Sequence, residues 1–236
     1  MPQRPPTVVL VHGLFGFHKL LWLEYFHGVR RLLQGMGIRV LAPRLAWAAD
    51  SRLRSRQLAC HLAAEPGPLH LIGHSLGGID GRAYISHCGG HRHTASLTTI
   101  ASPHRGSAAA DQVCRTLSPF AIFPGVRFLR RHRMARFNAQ TPDHPAVVYR
   151  SYSAARPAAE LPWPLRRYGR IIQQAEGAND GQVSVRAAVW GEHIATLRAD
   201  HLELIGRNLA PGGTRPAFDH LTLYQAIGQW ILAWDG

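Results

Sequence analysis

The sequence predicts an α/β fold, with a mostly parallel central sheet flanked by helices, and three observations carry that reading. Short continuous apolar runs such as Thr7-Val-Val-Leu-Val-His12 have the character of strands buried on both faces. Segments with apolar residues at helical spacing lie between these runs, and such alternation builds βαβ units. The chain has 236 residues, 46% of them hydrophobic, which is enough to bury a core without disulfide or metal staples.

The first run ends at Gly13. Beyond it, Trp22, Phe26, Val29 and Leu33 predict a helix over 21–36, with Gly35 and Gly37 available to end it. A strand over 39–43, a helix over 50–64, a strand over 69–72, a helix over 75–87 and a strand over 97–100 follow. The regular pattern breaks over 103–144. A helix over 108–117 leads there to Ser118-Pro-Phe-Ala-Ile-Phe-Pro-Gly125 and a basic stretch, which together read as a cap or lid insert. Regularity returns with a strand over 146–152. A second irregular insert, 156–170, holds Pro157, Pro162, Trp163 and Pro164, and is followed by a strand over 193–197 and a closing helix over 218–234. No internal repeat is present, so residues 1–236 are expected to form one domain.

The net charge of +13 is peculiar in kind: Lys19 is the single lysine, so the excess is carried by arginine. Basic stripes that bind nucleic acid usually mix the two residues and cluster them, whereas these are scattered apart from Arg127 to Arg136. No nucleic-acid partner is expected; attraction to anionic surfaces is compatible with the charge. An ordinary apolar fraction excludes disorder, and no apolar run approaches the roughly 20 residues that span a bilayer. Met1-Pro-Gln-Arg-Pro-Pro6 contains no leader-like apolar segment, so the chain as given is expected to be cytoplasmic; a secreted protein whose leader had been removed would look the same. Cys60, Cys88 and Cys114 lack metal-ligand spacing and fall in helical segments, which predicts buried free thiols.

Chemistry enters with Gly73-His-Ser75-Leu-Gly77. This G-x-S-x-G pattern directly follows an apolar strand and precedes a helix, the setting a nucleophile elbow requires. Small residues let the turn hold the serine in a strained conformation, and the helix N-terminus offers N–H groups where an oxyanion forms. A second donor is expected from the loop His12-Gly-Leu14-Phe-Gly16, so the backbone N–H groups of Leu14 and Leu76 are the candidate oxyanion donors. A base and an orienting acid must follow the serine in the order acid, then histidine. Asp180, in the turn Asn179-Asp-Gly181, and His201, in Asp200-His-Leu202, fill those places; Asn-Asp-Gly is also plain turn chemistry. His193 and His220 are rival bases, set aside because they fall in a strand and a helix.

With these motifs the chain resembles the bacterial triacylglycerol lipases of family I, within the α/β-hydrolase superfamily. The matching stretches are Val9-Leu-Val-His-Gly-Leu-Phe-Gly-Phe17, Gly73-His-Ser-Leu-Gly77, Thr99-Ile-Ala-Ser-Pro-His-Arg-Gly-Ser107, Asn179-Asp-Gly-Gln-Val-Ser184 and Asp200-His-Leu-Glu203, in the family's order. The resemblance implies an α/β-hydrolase fold, Ser75 as nucleophile, Asp180 as acid, His201 as base, and Leu14 and Leu76 at the oxyanion hole. It also implies departures. Those lipases often hold a structural calcium through an aspartate two residues after the histidine and a glutamine further on, where this chain has Glu203 and Arg207; an arginine there argues against calcium. Their helical lid is longer than 103–144, and the secreted members carry a leader and often a disulfide.

The expected function is therefore a compact serine carboxyl-ester hydrolase, esterase or lipase, that acts on small or lipid esters with no cofactor. Acyltransferase or thioesterase chemistry on the same triad is the alternative, and a non-catalytic protein that binds anionic surfaces is a remoter one. Phe120, Ile122, Phe123, Val126, Phe128 and Leu129, set among Arg127, Arg130, Arg131, Arg133 and Arg136, suggest a small lid touching anionic lipid. Their apolar and basic positions interleave around a helix, however, as in a cap packed over the core.

Overall fold

The computed structural model describes residues 5–16, 19–20, 23–116, 118–209 and 217–234. Second from one edge of its sheet, β1 (Thr7–Val11) is buried along its whole length. Successive side chains of a strand point to opposite faces, so Val8 and Leu10 enter one core layer and Val9 and Val11 the other, which is why the run has no polar alternation. Around it lie β4 (Arg39–Leu41), β5 (Leu69–His74), β6 (Thr94–Ile100), β7 (Val148–Ala154) and β8 (Glu192–Leu197). The six strands are ordered β4-β1-β5-β6-β7-β8 and every pair is parallel. A separate antiparallel pair is made by β2 (Lys19–Leu20) and β3 (Leu23–Glu24).

Helices cover both faces. On one, α1 (Val29–Gly35) and α9 (His220–Leu232) set Val29, Leu33, Tyr224 and Ile227 against Val8, Leu10, Ile72 and Ile100. On the other, α2 (Ser51–Leu62) and α3 (Leu76–His87) set Leu58, Leu62 and Ile85 against Val9, Val11, Leu71 and Leu97. Asp50 starts α2 by accepting the N–H groups of Arg52 and Leu53, the capping that this side chain supplies to orphan helix donors. These layers match the α/β-hydrolase architecture expected from the sequence.

Between β6 and β7 the chain forms α4 (Ala108–Arg115), a 3-10 turn over Pro119–Ile122, α5 (Pro124–Phe128) and α6 (Arg131–Gln140). Ala110, Phe128, Leu129 and Met134 pack here on Leu76 and Ile79 of α3. Much of the arginine stretch is engaged within the protein. Arg131 Nε meets Asp111 Oδ2 at 2.6 Å, Arg130 approaches the same carboxylate, and Arg127 Nε donates to the Ala121 carbonyl at 2.7 Å. The segment is more helical than its sequence suggested, and part of its apolar side, Phe128, Leu129 and Met134, is buried against α3, while Phe120 and Ile122 remain exposed.

Three expectations are corrected. The helix predicted over 21–36 begins at Val29; Gly28, with φ 71°, starts it in the left-handed region, and no regular helix runs through such a residue. Residues 23–24 belong to β3 instead, and Trp22 lies outside the described residues. Part of the second irregular insert is α7 (Trp163–Glu176), a helix of 14 residues. Pro162 and Pro164 mark its start, where a missing N–H costs nothing, so the prolines were helix signals and not breakers. Finally, the three thiols are free but not buried: Cys60 is exposed, and Cys88 and Cys114 are half-buried.

His70 on β5 shows how the core depends on pH. It is wedged between Ser96, whose hydroxyl lies 2.8 Å from Nδ1, and the rings of Trp230 and Trp234. Burial lowers its pKa from 6.5 to about 4. Below 6.5 the unfolded chain takes up the proton first, so stability falls as pH drops through the window from 6.5 to about 4 and levels off below it. We expect the melting temperature to fall across that window and the fall to be shallower in His70→Asn; an equal fall in both proteins would remove His70 from the account.

Candidate active site

Ser75 sits where β5 gives way to α3, at the C-terminal edge of the sheet. Its backbone is held at φ 55° and ψ −127°, a conformation that strains any residue with a Cβ. The surroundings enforce it: Ser75 N–H donates to the Ile100 carbonyl at 3.0 Å, and the Ser75 carbonyl accepts from Gly78 N–H at 3.2 Å. Gly77 is required by close approach, since a Cβ there would lie 2.1 Å from the Val11 carbonyl oxygen. The elbow is thus pressed directly onto β1.

The same strand delivers the loop beside the serine. A Cβ on Gly13 would sit 2.9 Å from Ser75 Cβ, so the Gly13 backbone lies against Ser75 and brings Leu14 next to it. Leu76 is the first residue of α3, and the first N–H groups of a helix have no partner within it. Two side chains brace the loop. The Arg54 guanidinium, fully buried, donates to the His12 carbonyl at 2.5 Å, the Ala46 carbonyl at 2.9 Å and Asp80 Oδ2 at 2.7 Å. The His12 ring accepts from Leu45 N–H through Nε2 at 3.2 Å and donates through Nδ1 to the Gly13 carbonyl at 2.9 Å. The buried pair therefore joins α2 and α3 to the end of β1.

Asp180 and His201 are brought together from turns that follow α7 and β8. Asp180 is fully buried; Oδ1 accepts from Gln182 N–H at 2.9 Å and Val183 N–H at 2.7 Å, while Oδ2 faces His201 Nδ1 at 2.7 Å. The Asn-Asp-Gly turn signal holds as well, because Asn179 and Ser184 form an antiparallel bridge across it. A carboxylate only accepts, so the neutral imidazole carries its proton on Nδ1 and leaves Nε2 as the basic nitrogen. A backbone bond from His201 N–H to the Asp180 carbonyl, 3.0 Å, ties the two turns together. His193 and His220 are engaged elsewhere, Nε2 of the first with Ser153 Oγ at 3.0 Å and of the second with the His27 carbonyl at 2.8 Å.

Leu14, Ser75 and His201 line one cavity of about 700 Å³. The rest of its wall is mostly apolar and includes Val113 of α4, Leu129 after α5, Leu165 of α7 and Ile205. Phe15, Trp47, Phe120 and Phe123 stack edge to face and at tilted angles beside the Leu14 loop, with ring centroids 5.1–6.4 Å apart.

Two residues here were not singled out in the sequence. His74, the variable residue inside the G-x-S-x-G motif, donates through Nε2 to the His201 carbonyl at 3.1 Å, and its Nδ1 accepts from the Tyr25 hydroxyl at 2.8 Å. Burial, reinforced by the nearby His201 ring, holds the His74 pKa well below that of an ordinary histidine, so it remains neutral. Burial likewise raises the Tyr25 phenol. The position of His74 within the motif was a usable signal; nothing in the sequence pointed to Tyr25.

Residues 8–226 match the model of the family described as the alpha/beta hydrolase family. A triacylglycerol lipase of Saccharomyces cerevisiae is 30% identical over 218 residues, covering 80% of this chain and 64% of its own length. Triacylglycerol lipases of Pseudomonas fragi and Vibrio cholerae are 30% and 40% identical over 59% and 47% of the chain. The chain's match spans 49% and 36% of those two relatives, between about a third and a half of their length. Among solved structures, a metagenomic carboxyl esterase superposes with a TM-score of 0.81 at 20% identity, over 98% of this chain and 76% of that one. The lipase of Staphylococcus hyicus gives 0.77 at 18% identity, over 98% and 97%. At these identities the two structures speak for the fold.

Proposed function

The chain belongs to the alpha/beta hydrolase family, and from that premise we propose that it is a serine carboxyl-ester hydrolase acting on esters with an apolar acyl chain. One observation carries the reading: His201, paired with Asp180 at 2.7 Å, shares with Ser75 the wall of an apolar cavity of about 700 Å³. In this reading Ser75 Oγ attacks the ester carbonyl carbon while His201 Nε2 takes the hydroxyl proton. The carbonyl oxygen becomes an oxyanion held by the N–H groups of Leu14 and Leu76. Collapse expels the alcohol, which takes the proton from His201 and leaves Ser75 acylated. Water, deprotonated by His201, then attacks the acyl carbon, releases the acid and restores Ser75. Besides the ester and water, the cycle uses only residues of this chain.

The cavity supports an acyl chain of more than a few carbons, since its volume is about 700 Å³ and its wall is mostly apolar. We expect kcat/KM for p-nitrophenyl esters to rise from acetate to at least octanoate, because each buried methylene contributes about 0.8 kcal/mol at most. A steady fall beyond butyrate would sink the assignment of the cavity to the acyl group. Contact with a lipid surface is part of the same proposal. Phe120 and Leu209 on the cavity rim, with Ile122 and Trp163, are large apolar side chains left exposed. Among the described residues no helix is long and apolar enough to cross a membrane, so the contact envisaged is superficial. Equal sedimentation of the unaltered protein and Ile122→Asp with anionic vesicles would count against it.

A further inference from the structure

We propose that Arg156 is a positioning residue, an internal cation that locks the Asp180 turn to the His201 loop in place of a bound metal. The inference rests on the ester-hydrolase reading above. Its geometry is a bridge with one end on each turn. Just beyond β7, the Arg156 N–H donates to the Asn179 carbonyl at 2.9 Å, next to Asp180. Its guanidinium reaches the other turn: Nε meets Glu203 Oε2 at 2.7 Å and Nη2 meets Oε1 at 3.2 Å, a two-pronged pair with side chains 2% and 1% exposed. Nη1 continues to Glu160 Oε2 at 3.0 Å.

Glu203 passes the constraint to the base. Its Oε2 accepts from Asp200 N–H at 2.8 Å, and Asp200 Oδ1 accepts from the N–H groups of Leu202 and Glu203, each at 2.9 Å. His201 lies inside this closed ring of bonds. Burial would lower the Arg156 pKa, but the hydrogen bonds and charges of Glu203 and Glu160 outweigh it and hold the value above that of an ordinary arginine.

The calcium that the resemblance implies does not fit here. A calcium ion needs six or more oxygen ligands. Both Glu203 oxygens face a guanidinium, and Asp200 Oδ1 is committed to two backbone donors. A fixed positive charge already stands against the carboxylate that would bind the metal.

The test compares Arg156→Met, Arg156→Lys and the double variant Arg156→Met with Glu203→Gln, which leaves no uncompensated buried carboxylate. With a soluble p-nitrophenyl ester, Arg156→Met is expected to lower kcat by about 10–100-fold with KM within about 3-fold, the cost of a misplaced base. Its acidic limb should move to lower pH, because a loosened Asp180 contact stabilises the imidazolium less. Arg156→Lys should fall between, keeping the charge but not the fork. The double variant should regain the melting temperature but not kcat. Recovery of both, or variants with the original kcat and pH limb, would overturn the proposal. So would a calcium-induced rise in melting temperature or an EDTA-induced loss of activity in the unaltered protein, a measurement that does not depend on any variant folding. Labelling of Ser75 by a fluorophosphonate separates the two readings: an unlabelled, inactive protein defeats the hydrolase assignment, whereas normal labelling with indifferent Arg156 variants defeats the clamp alone.

Discussion

Ser75→Ala is expected to lower kcat/KM for a soluble p-nitrophenyl ester by about 10,000-fold or more, with the melting temperature within a few degrees of the unaltered protein. The size follows from chemistry, since methyl cannot form the acyl-enzyme and only the oxyanion donors and binding remain to assist water. The preserved fold follows from geometry. The strained backbone at φ 55° is imposed by bonds from the Ser75 N–H and to its carbonyl, and alanine keeps both of those groups. Alanine also brings the same Cβ, so the strain is unchanged. Retention of more than about a tenth of the activity by the purified variant would exclude Ser75 as nucleophile.

Asp180→Asn should be nearly as damaging, for a different reason. Asp180 Oδ1 is committed to the N–H groups of Gln182 and Val183 at 2.9 and 2.7 Å, both donors. An asparagine must keep its carbonyl oxygen there, which turns its NH₂ toward His201 Nδ1. Faced with a donor, the ring is driven to the opposite tautomer, with its proton on Nε2 and nothing left to accept from Ser75. The expected loss is about 1,000- to 10,000-fold in kcat near neutral pH, with KM little changed. A variant within 10-fold of the original would place the orienting acid elsewhere. Asp200, the carboxylate adjacent to His201 in sequence, is already bonded to the N–H groups of Leu202 and Glu203.

The parts of this site that sequence made legible share one property: their chemistry is local. The Ser75 elbow needs a strand, glycines and a helix in succession, and all three are adjacent along the chain. β1 could be read because burial on both faces leaves an uninterrupted apolar run, and β5 because Leu69, Leu71 and Ile72 keep it apolar despite His70. Asp180 and His201 were reached through their turns. What stayed hidden is set by tertiary approach. Tyr25 and His74 meet across 49 positions of sequence, and Arg54 reaches the His12 carbonyl across 42. No periodicity records such pairs. Two local signals were also outvoted. Helical spacing from Trp22 to Leu33 masks the break at Gly28, and the prolines around Trp163 read as disruption although they begin α7. The basic stretch from Arg127 to Arg136 looked like a surface feature, yet Arg127, Arg130 and Arg131 are partly spent on internal partners.

His201 N–H is joined to the Asp180 carbonyl, so acid and base travel as a single body, while Ser75 is riveted to the sheet through Ile100. The proposed catalytic group is therefore two hydrogen-bonded pieces meeting at a seam, and the bond from His74 to the His201 carbonyl is a stitch across it. Vibration or heat that parts the pieces leaves the acid–base couple whole and removes its alignment with the nucleophile. Such a machine can stall by a slip of its halves while each half is still intact, and an inhibitor covalently attached to Ser75 that also contacts His201 acts as a second stitch.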